Sequence, residues 1–167
     1  MYKIKIATIN DLDKINQLYK DLINDMHNRD VTIWNDYYPF FMFNEDIKLK
    51  RMYLVEENNE ILSCFVLAKE NNGEKSIEWS IDCNKAYYLD RFAVNVNHLK
   101  KGIGTKTLQI AENIAKEKGA NYLRLFVVPC NIPAIKLYEK CNYIKRNGLY
   151  ILEEDENIKM YGYEKKI

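Results

Sequence analysis

The apolar residues of this chain change period several times, and each change marks an element. Tyr2, Ile4 and Ile6 alternate with lysines, the pattern of a strand with one buried face. Leu12, Ile15, Leu18, Tyr19, Leu22, Ile23 and Met26 then recur three and four apart, which predicts an amphipathic helix over 11–26 capped by Asn10. An aromatic stretch follows at 34–43, interrupted by Pro39, and a second helix is expected at 44–51. Two apolar runs, 52–56 and 61–68, flank the turn-rich 57–60 and predict an antiparallel hairpin.

Beyond the polar loop 69–76 and the weakly patterned 77–85, residues 86–94 read as a strand that carries two charges, Asp90 and Arg91. Strands buried on both faces rarely carry such a pair without a role. Leu108, Ala111, Ile114 and Ala115 mark a helix opening near Thr105 and stopping at Gly119, and 122–128 form a largely buried strand ended by Pro129. A short helix is expected over 132–141, with Asn131 as cap and Pro133 in its first turn. Closing strands at 143–146 and 158–163 surround a turn at Asn147 and Gly148 and a solvated acidic loop, 153–156.

Length and charge narrow the classes. A chain of 167 residues, 47% hydrophobic, suits one domain spanning 1–167. A formal net charge of +1 gives no basic field for nucleic acid, and no stretch has the length and apolarity of a membrane span or signal peptide, so a soluble, cytoplasmic protein is expected. Cys64, Cys83, Cys130 and Cys141 form no Cys-x-x-Cys pair, and His27 and His98 stand apart, so no metal site is expected.

The most informative segment is Lys100-Lys101-Gly102-Ile103-Gly104-Thr105, where a strand hands over to a helix. Glycine permits positive φ and close approach of a ligand, while the first helical turn presents unpaired N–H groups and partial positive charge. The segment is either a phosphate cradle or an ordinary turn with solvated lysines. It is not a Walker A loop, because Lys106 follows Thr105 rather than Gly104, and it lacks the third glycine of the dinucleotide fingerprint, having Thr107 there.

Three segments, in order and spacing, resemble the GNAT family of N-acetyltransferases. Leu89-Asp90-Arg91-Phe92-Ala93-Val94 looks like the family's fourth strand. Leu99-Lys100-Lys101-Gly102-Ile103-Gly104 resembles its pyrophosphate loop, although Leu99 stands where Arg or Gln is usual. Asn131 to Tyr143 is similar to its Asn-x-x-Ala-x-x-x-Tyr-x-x-x-Gly-Phe stretch, with Asn142-Tyr143 in place of Gly-Phe. The resemblance covers about the C-terminal half. It implies an α/β fold, with a mixed, mostly antiparallel sheet, helices on both faces and a parallel pair of strands splayed around acetyl-CoA.

It also implies acetyl-CoA as cosubstrate, without a metal, held by Phe92, Ala93, Val94, Leu99, Lys100, Lys101, Gly102, Ile103, Gly104, Thr105, Asn131, Ala134 and Tyr138. Tyr138 falls at the family's general-acid position, and a backbone N–H near Val94 would stabilise the developing oxyanion. An amine with a pKa of roughly 10.4 must lose a proton before attack, and Asp90 with Tyr88, two residues away on one strand face, are candidates for that path. An ion pair between Asp90 and Arg91 or another neighbour is the competing reading.

For the acceptor, Trp34, Tyr37, Tyr38 and Asp90, with Asp36 and Asp82, suit a small cationic amine, although the aromatics equally well complete a core. The expected function is thus N-acetylation of a small primary amine by a monomer or homodimer that engages neither nucleic acid nor membrane. The alternative is a non-catalytic acyl-CoA-binding or regulatory module.

Overall fold

The computed structural model describes residues 2–81, 85–152 and 155–167, with the side chains of Asp155 and Glu156 left aside. Asp82, Cys83 and residues 153–154 of the expected acidic loop lie outside the described residues. In chain order the elements are β1 (Lys3–Ile6), α1 (Leu12–His27), α2 (Phe43–Lys48), β2 (Met52–Glu57), β3 (Glu60–Ala68), β4 (Ile77–Glu78), β5 (Ala86–Val94), α3 (Ile103–Glu117), β6 (Tyr122–Val127), α4 (Ile132–Lys140), β7 (Ile144–Lys145), β8 (Asn147–Gly148), β9 (Tyr150–Leu152) and β10 (Asp155–Lys166). They gather into two compact units, Met1–Leu67 with Arg91–Thr107, and Ala68–Asp90 with Leu108–Ile167.

In the first unit β1 pairs antiparallel with β2, and β2 with β3. The β2–β3 hairpin closes through Asn58 and Asn59, both left-handed at φ 51° and 65°, the signature of a tight turn that follows strand twist. The apolar faces of α1 and α2 cover this sheet: Ile15, Tyr19, Phe43, Met52, Leu54, Cys64 and Val66 are fully buried together. Burying such a side chain contributes roughly 1.5–3 kcal/mol, so the core outweighs the weak propensity of the aromatic segment before α2.

In the second unit β5 runs parallel to β6, and β6, β7 and β9 all pair antiparallel with β10. Leu89, Leu108, Ala111, Ala115, Leu123 and Leu125 are almost completely buried. The fold is therefore mixed α/β, with a mostly antiparallel set of strands and one parallel pair, as the resemblance implies. The parallel ladder runs from Ala86 opposite Tyr122 to Leu89 opposite Leu125 and stops there, although both strands continue.

Several boundaries differ from the sequence expectation. The first helix is set by Thr8 and Asp11 rather than by Asn10: the Asp11 carboxylate accepts from Thr8 N and Oγ1 at 2.9 and 2.8 Å and also binds Lys5. The second helix ends at Lys48, and α3 starts at Ile103 rather than near Thr105. Asn147-Gly148 is not a free hairpin turn but pairs with β4. Gly148 has φ 108°, and a Cβ there would lie 2.3 Å from the Ser76 carbonyl oxygen, so two backbones meet where a turn was expected. The last strand extends well beyond 158–163, to Asp155–Lys166.

Candidate functional site

The cradle belongs to the first unit and is built by local rules. Asn95 takes the Asn97 N–H on its side chain and opens a short 3-10 turn, after which Leu99 is extended. Lys100 and Gly102 both adopt positive φ, 60° and 81°, and turn the chain into α3. Lys106 N donates to Gly102 O, leaving the N–H groups of Ile103, Gly104 and Thr105 in the first turn, where a helix has no carbonyl to offer them. A Cβ at Gly102 would meet nothing within 4 Å, so the space before that turn is open to a ligand. An oxyanion fits this donor set, with the partial positive charge of the helix terminus behind it.

Thr107 anchors the cradle from beneath. Its Oγ1 donates to Ile103 O at 2.8 Å and lies 2.6 Å from Ser63 Oγ on β3, both residues being fully buried. Lys101 Nζ reaches back to Asn97 O at 2.8 Å, whereas Lys100 is exposed at the mouth of the turn.

The C-terminal half of β5 lies in the same unit. Arg91 is left-handed at φ 47°, which interrupts strand alternation directly after Asp90. Three side chains fix this irregularity: the Tyr19 hydroxyl donates to Arg91 O, and buried Asp46 holds Arg91 Nε at 2.8 Å and Arg51 Nε at 2.6 Å. The guanidinium of Arg91 is thus directed to Asp46. Beyond it Ala93 is buried, while Phe92 and Val94 are half-buried.

Tyr138 and Asp90 lie in the second unit. Asn131 caps α4, its Oδ1 accepting from Ala134 N at 3.3 Å, and Pro133 occupies the first turn. Tyr138 is two turns further on and 6% exposed. Burial, and then the charge of Asp90, push its phenol well above the ordinary tyrosine value, so it keeps its proton across the neutral range. Tyr143 and Tyr163 pack against its ring at 6.0 and 6.4 Å. The Asp90 charge thus reaches the Tyr138 phenol within the second unit, and α4 ends as expected, with Asn142 left-handed at φ 65°.

Tyr88 is placed differently from Asp90. It is fully buried, its hydroxyl takes a hydrogen bond from Arg124 Nη1 at 3.3 Å, and its ring stacks on Phe126. Burial raises its phenol well above the usual range. Arg124, itself 1% exposed, also binds Glu164 at 2.9 Å and Ile81 O at 2.7 Å, and its guanidinium lies 4.6 Å over the Trp79 ring. This buried charge was missed in the sequence because Leu123-Arg124-Leu125 sits inside an otherwise apolar strand.

The aromatic stretch splits between the two readings. Trp34 packs on Tyr19 at 5.5 Å and, with Phe40, against the first unit's core; Phe43 is fully buried. Tyr37, 69% exposed, stacks on Phe41 at 4.5 Å, and half-buried Tyr38 tilts against the same ring. Among the described residues no cluster of three His, Cys, Asp or Glu side chains gathers to hold a metal, and no helix is long and apolar enough to cross a membrane.

Comparison with known proteins agrees with this architecture. A GNAT-family acetyltransferase from Streptococcus agalactiae 2603 superposes with a TM-score of 0.85 at 17% identity, covering 99% of this chain and 95% of that one. One from Listeria monocytogenes 4b F2365 gives 0.76 at 19% identity, covering 99% and 95%. The yncA protein of Salmonella typhimurium, solved with its cofactor acetyl-CoA, gives 0.67 at 15% identity, covering 99% and 93%. The model of the acetyltransferase (GNAT) family matches residues 15–143, most of the chain and stretches of both units, and the chain belongs to that family.

Proposed function

We propose that the protein transfers the acetyl group of acetyl-CoA to the primary amine of a small molecule, with residues 1–167 acting as one acetyltransferase domain. The observation that carries this reading is a buried Tyr138 phenol, on the helix that Asn131 caps, held in its protonated form by burial and by the charge of Asp90. A phenol kept protonated within reach of a carboxylate's charge suits an acid and a base serving one reaction.

The N–H groups of Ile103, Gly104 and Thr105 would hold the pyrophosphate, with Lys100 and Lys101 adding charge around Gly102 and Leu99 flanking the loop. Phe92, Ala93 and Val94 would line the thioester, the Val94 N–H meeting its oxygen as negative charge develops. Asn131 and Ala134 would meet the pantetheine arm or the adenosine side. Acetyl-CoA supplies an activated acyl group and a thiol leaving group of pKa roughly 8.5.

Asp90 would take the amine's proton, directly or through water, with the Tyr88 phenol on the same strand proposed to serve that path. Tyr138 holds a proton toward the departing sulfur. Full transfer from a phenol above 10 to such a thiolate is uphill by about 2 kcal/mol or more, so Tyr138 acts first as a hydrogen-bond donor. As the C–N bond forms and the C–S bond breaks, the Tyr138 proton would pass to sulfur, and the proton that Asp90 has taken from the amine would return through water to restore the phenol. Trp34, Tyr37 and Tyr38 would meet the acceptor, and the exposed Tyr37 face suits a cation.

The test is mass spectrometry of products after incubation with acetyl-CoA and a panel of polyamines, amino-acid derivatives and simple amines. Acetylated amine is expected for at least one class. Acetyl-CoA binding with no product from any of them would replace the enzyme by an acyl-CoA-binding module.

A further inference from the structure

Asn71 lies in a segment that the sequence offers only as a polar loop, yet its two amide atoms are both committed. Its Oδ1 accepts the Gly73 N–H at 2.9 Å, which fixes the amide orientation and turns Nδ2 toward Asp90, 3.2 and 3.4 Å from the two carboxylate oxygens. The turn carrying it is closed by Glu74 N donating to Asn71 O at 3.0 Å. Gly73 is not there for its φ, which is −78°, but for space: a Cβ would lie 2.5 Å from Tyr150 Cδ1 and 2.8 Å from Phe126 Cζ. The aromatic pair thus seats the turn, the turn aims the amide, and the amide grips the carboxylate.

We infer that Asn71 is a positioning residue that holds the Asp90 carboxylate in one orientation and favours its ionised form, with Gly73 as the seat of that hold. The inference rests on the reading of Asp90 as the proton acceptor in acetyl transfer. A carboxylate gripped at both oxygens cannot rotate freely, and donors to its charged form oppose protonation. The charge of Asp90 also reaches Tyr138 on α4, the Tyr88 hydroxyl two residues back takes its hydrogen bond from Arg124, and Arg91, next in sequence, has its guanidinium taken by Asp46. Asn71 therefore offers Asp90 amide N–H donors without adding a second charge.

The test compares Asn71→Ala and Asn71→Asp with the wild type, reading the Asp90 carboxyl by 13C NMR titration alongside steady-state kinetics. Asn71→Asp keeps an oxygen for the Gly73 N–H, so a merely structural role predicts wild-type behaviour from it. Positioning predicts the opposite order: the Asp90 titration midpoint rises by about half a unit or more in Asn71→Ala, and further in Asn71→Asp, where a like charge faces it. In the same order kcat/KM for the amine falls, by about tenfold or more in Asn71→Asp at neutral pH, with acetyl-CoA affinity unchanged. An Asp90 midpoint that stays put in both variants overturns the inference. A shifted midpoint in a protein that acetylates no amine supports the Asn71 grip and overturns the acetyl-transfer reading instead.

Discussion

The Asp46 carboxylate lies 2.8 Å from Nε of Arg91, the left-handed residue that immediately follows Asp90 on β5. Asp46 has no exposed surface and also holds Arg51. One buried anion thus ties α2 to the left-handed turn of the strand at Arg91. Removing it leaves two cations near a core without a counter-charge, so Asp46→Ala is expected to lower stability by about 3–5 kcal/mol. Urea denaturation followed by tryptophan fluorescence measures this, and a change below about 1 kcal/mol would show the pair to be incidental.

Substitution at the cradle separates binding from folding. Gly102 has φ 81° and open space around its missing Cβ. Gly102→Val adds backbone strain of about 1–3 kcal/mol and places methyl groups where an oxyanion would approach. Acetyl-CoA affinity by calorimetry is expected to fall at least about tenfold while the protein stays folded. Leu99→Arg is expected to strengthen binding, since it adds a cation beside the same N–H groups.

Thiol reactivity offers an independent check of the packing. Burial pushes the Cys64 thiol up to about 12, whereas Cys130 is exposed at the entrance to α4. At pH 8 only about one Cys64 in ten thousand is thiolate, the reactive form. Iodoacetamide with peptide mass spectrometry should label Cys130 at least about a thousandfold faster than Cys64. Comparable rates would contradict the buried arrangement around Tyr19.

Acid sensitivity follows from Glu164. Burial alone would raise its carboxyl, but hydrogen bonds from Ser80 and Arg124 outweigh burial and hold it below the usual glutamate range. A lowered folded value gives stability that is fully present above the ordinary pKa of about 4.3 and is lost as pH falls through the folded value. Glu164→Gln should therefore be less stable than the wild type at pH 7, and the gap should shrink below pH 4. A gap independent of pH would show that the carboxylate charge contributes nothing.

Legibility from sequence tracked how local each determinant is. The α3 cradle, the Asn131 cap and the strand carrying Asp90 follow from residues within a few positions of one another, so period and turn chemistry reveal them. Asn71 and Arg124 act on partners 19 and 40 residues away, Asp90 and Glu164, and neither leaves a local pattern. Asn147-Gly148 shows the limit most clearly. The pair satisfies every rule for a hairpin turn, yet the close approach of the Ser76 backbone decides its structure. Trp34 and Tyr37 share one aromatic run, but only packing against Tyr19 makes one of them core.

The central claim is that Tyr138 donates a proton in acetyl transfer, and turnover of Tyr138→Phe with acetyl-CoA and a competent amine tests it most directly. Because burial and Asp90 both raise this phenol, it stays protonated well past neutrality, and the wild-type kcat should show no alkaline loss from Tyr138 below pH 10. The account predicts that Tyr138→Phe lowers kcat by about a hundredfold or more while acetyl-CoA affinity stays within about twofold. A folded Tyr138→Phe protein turning over at the wild-type rate would contradict it.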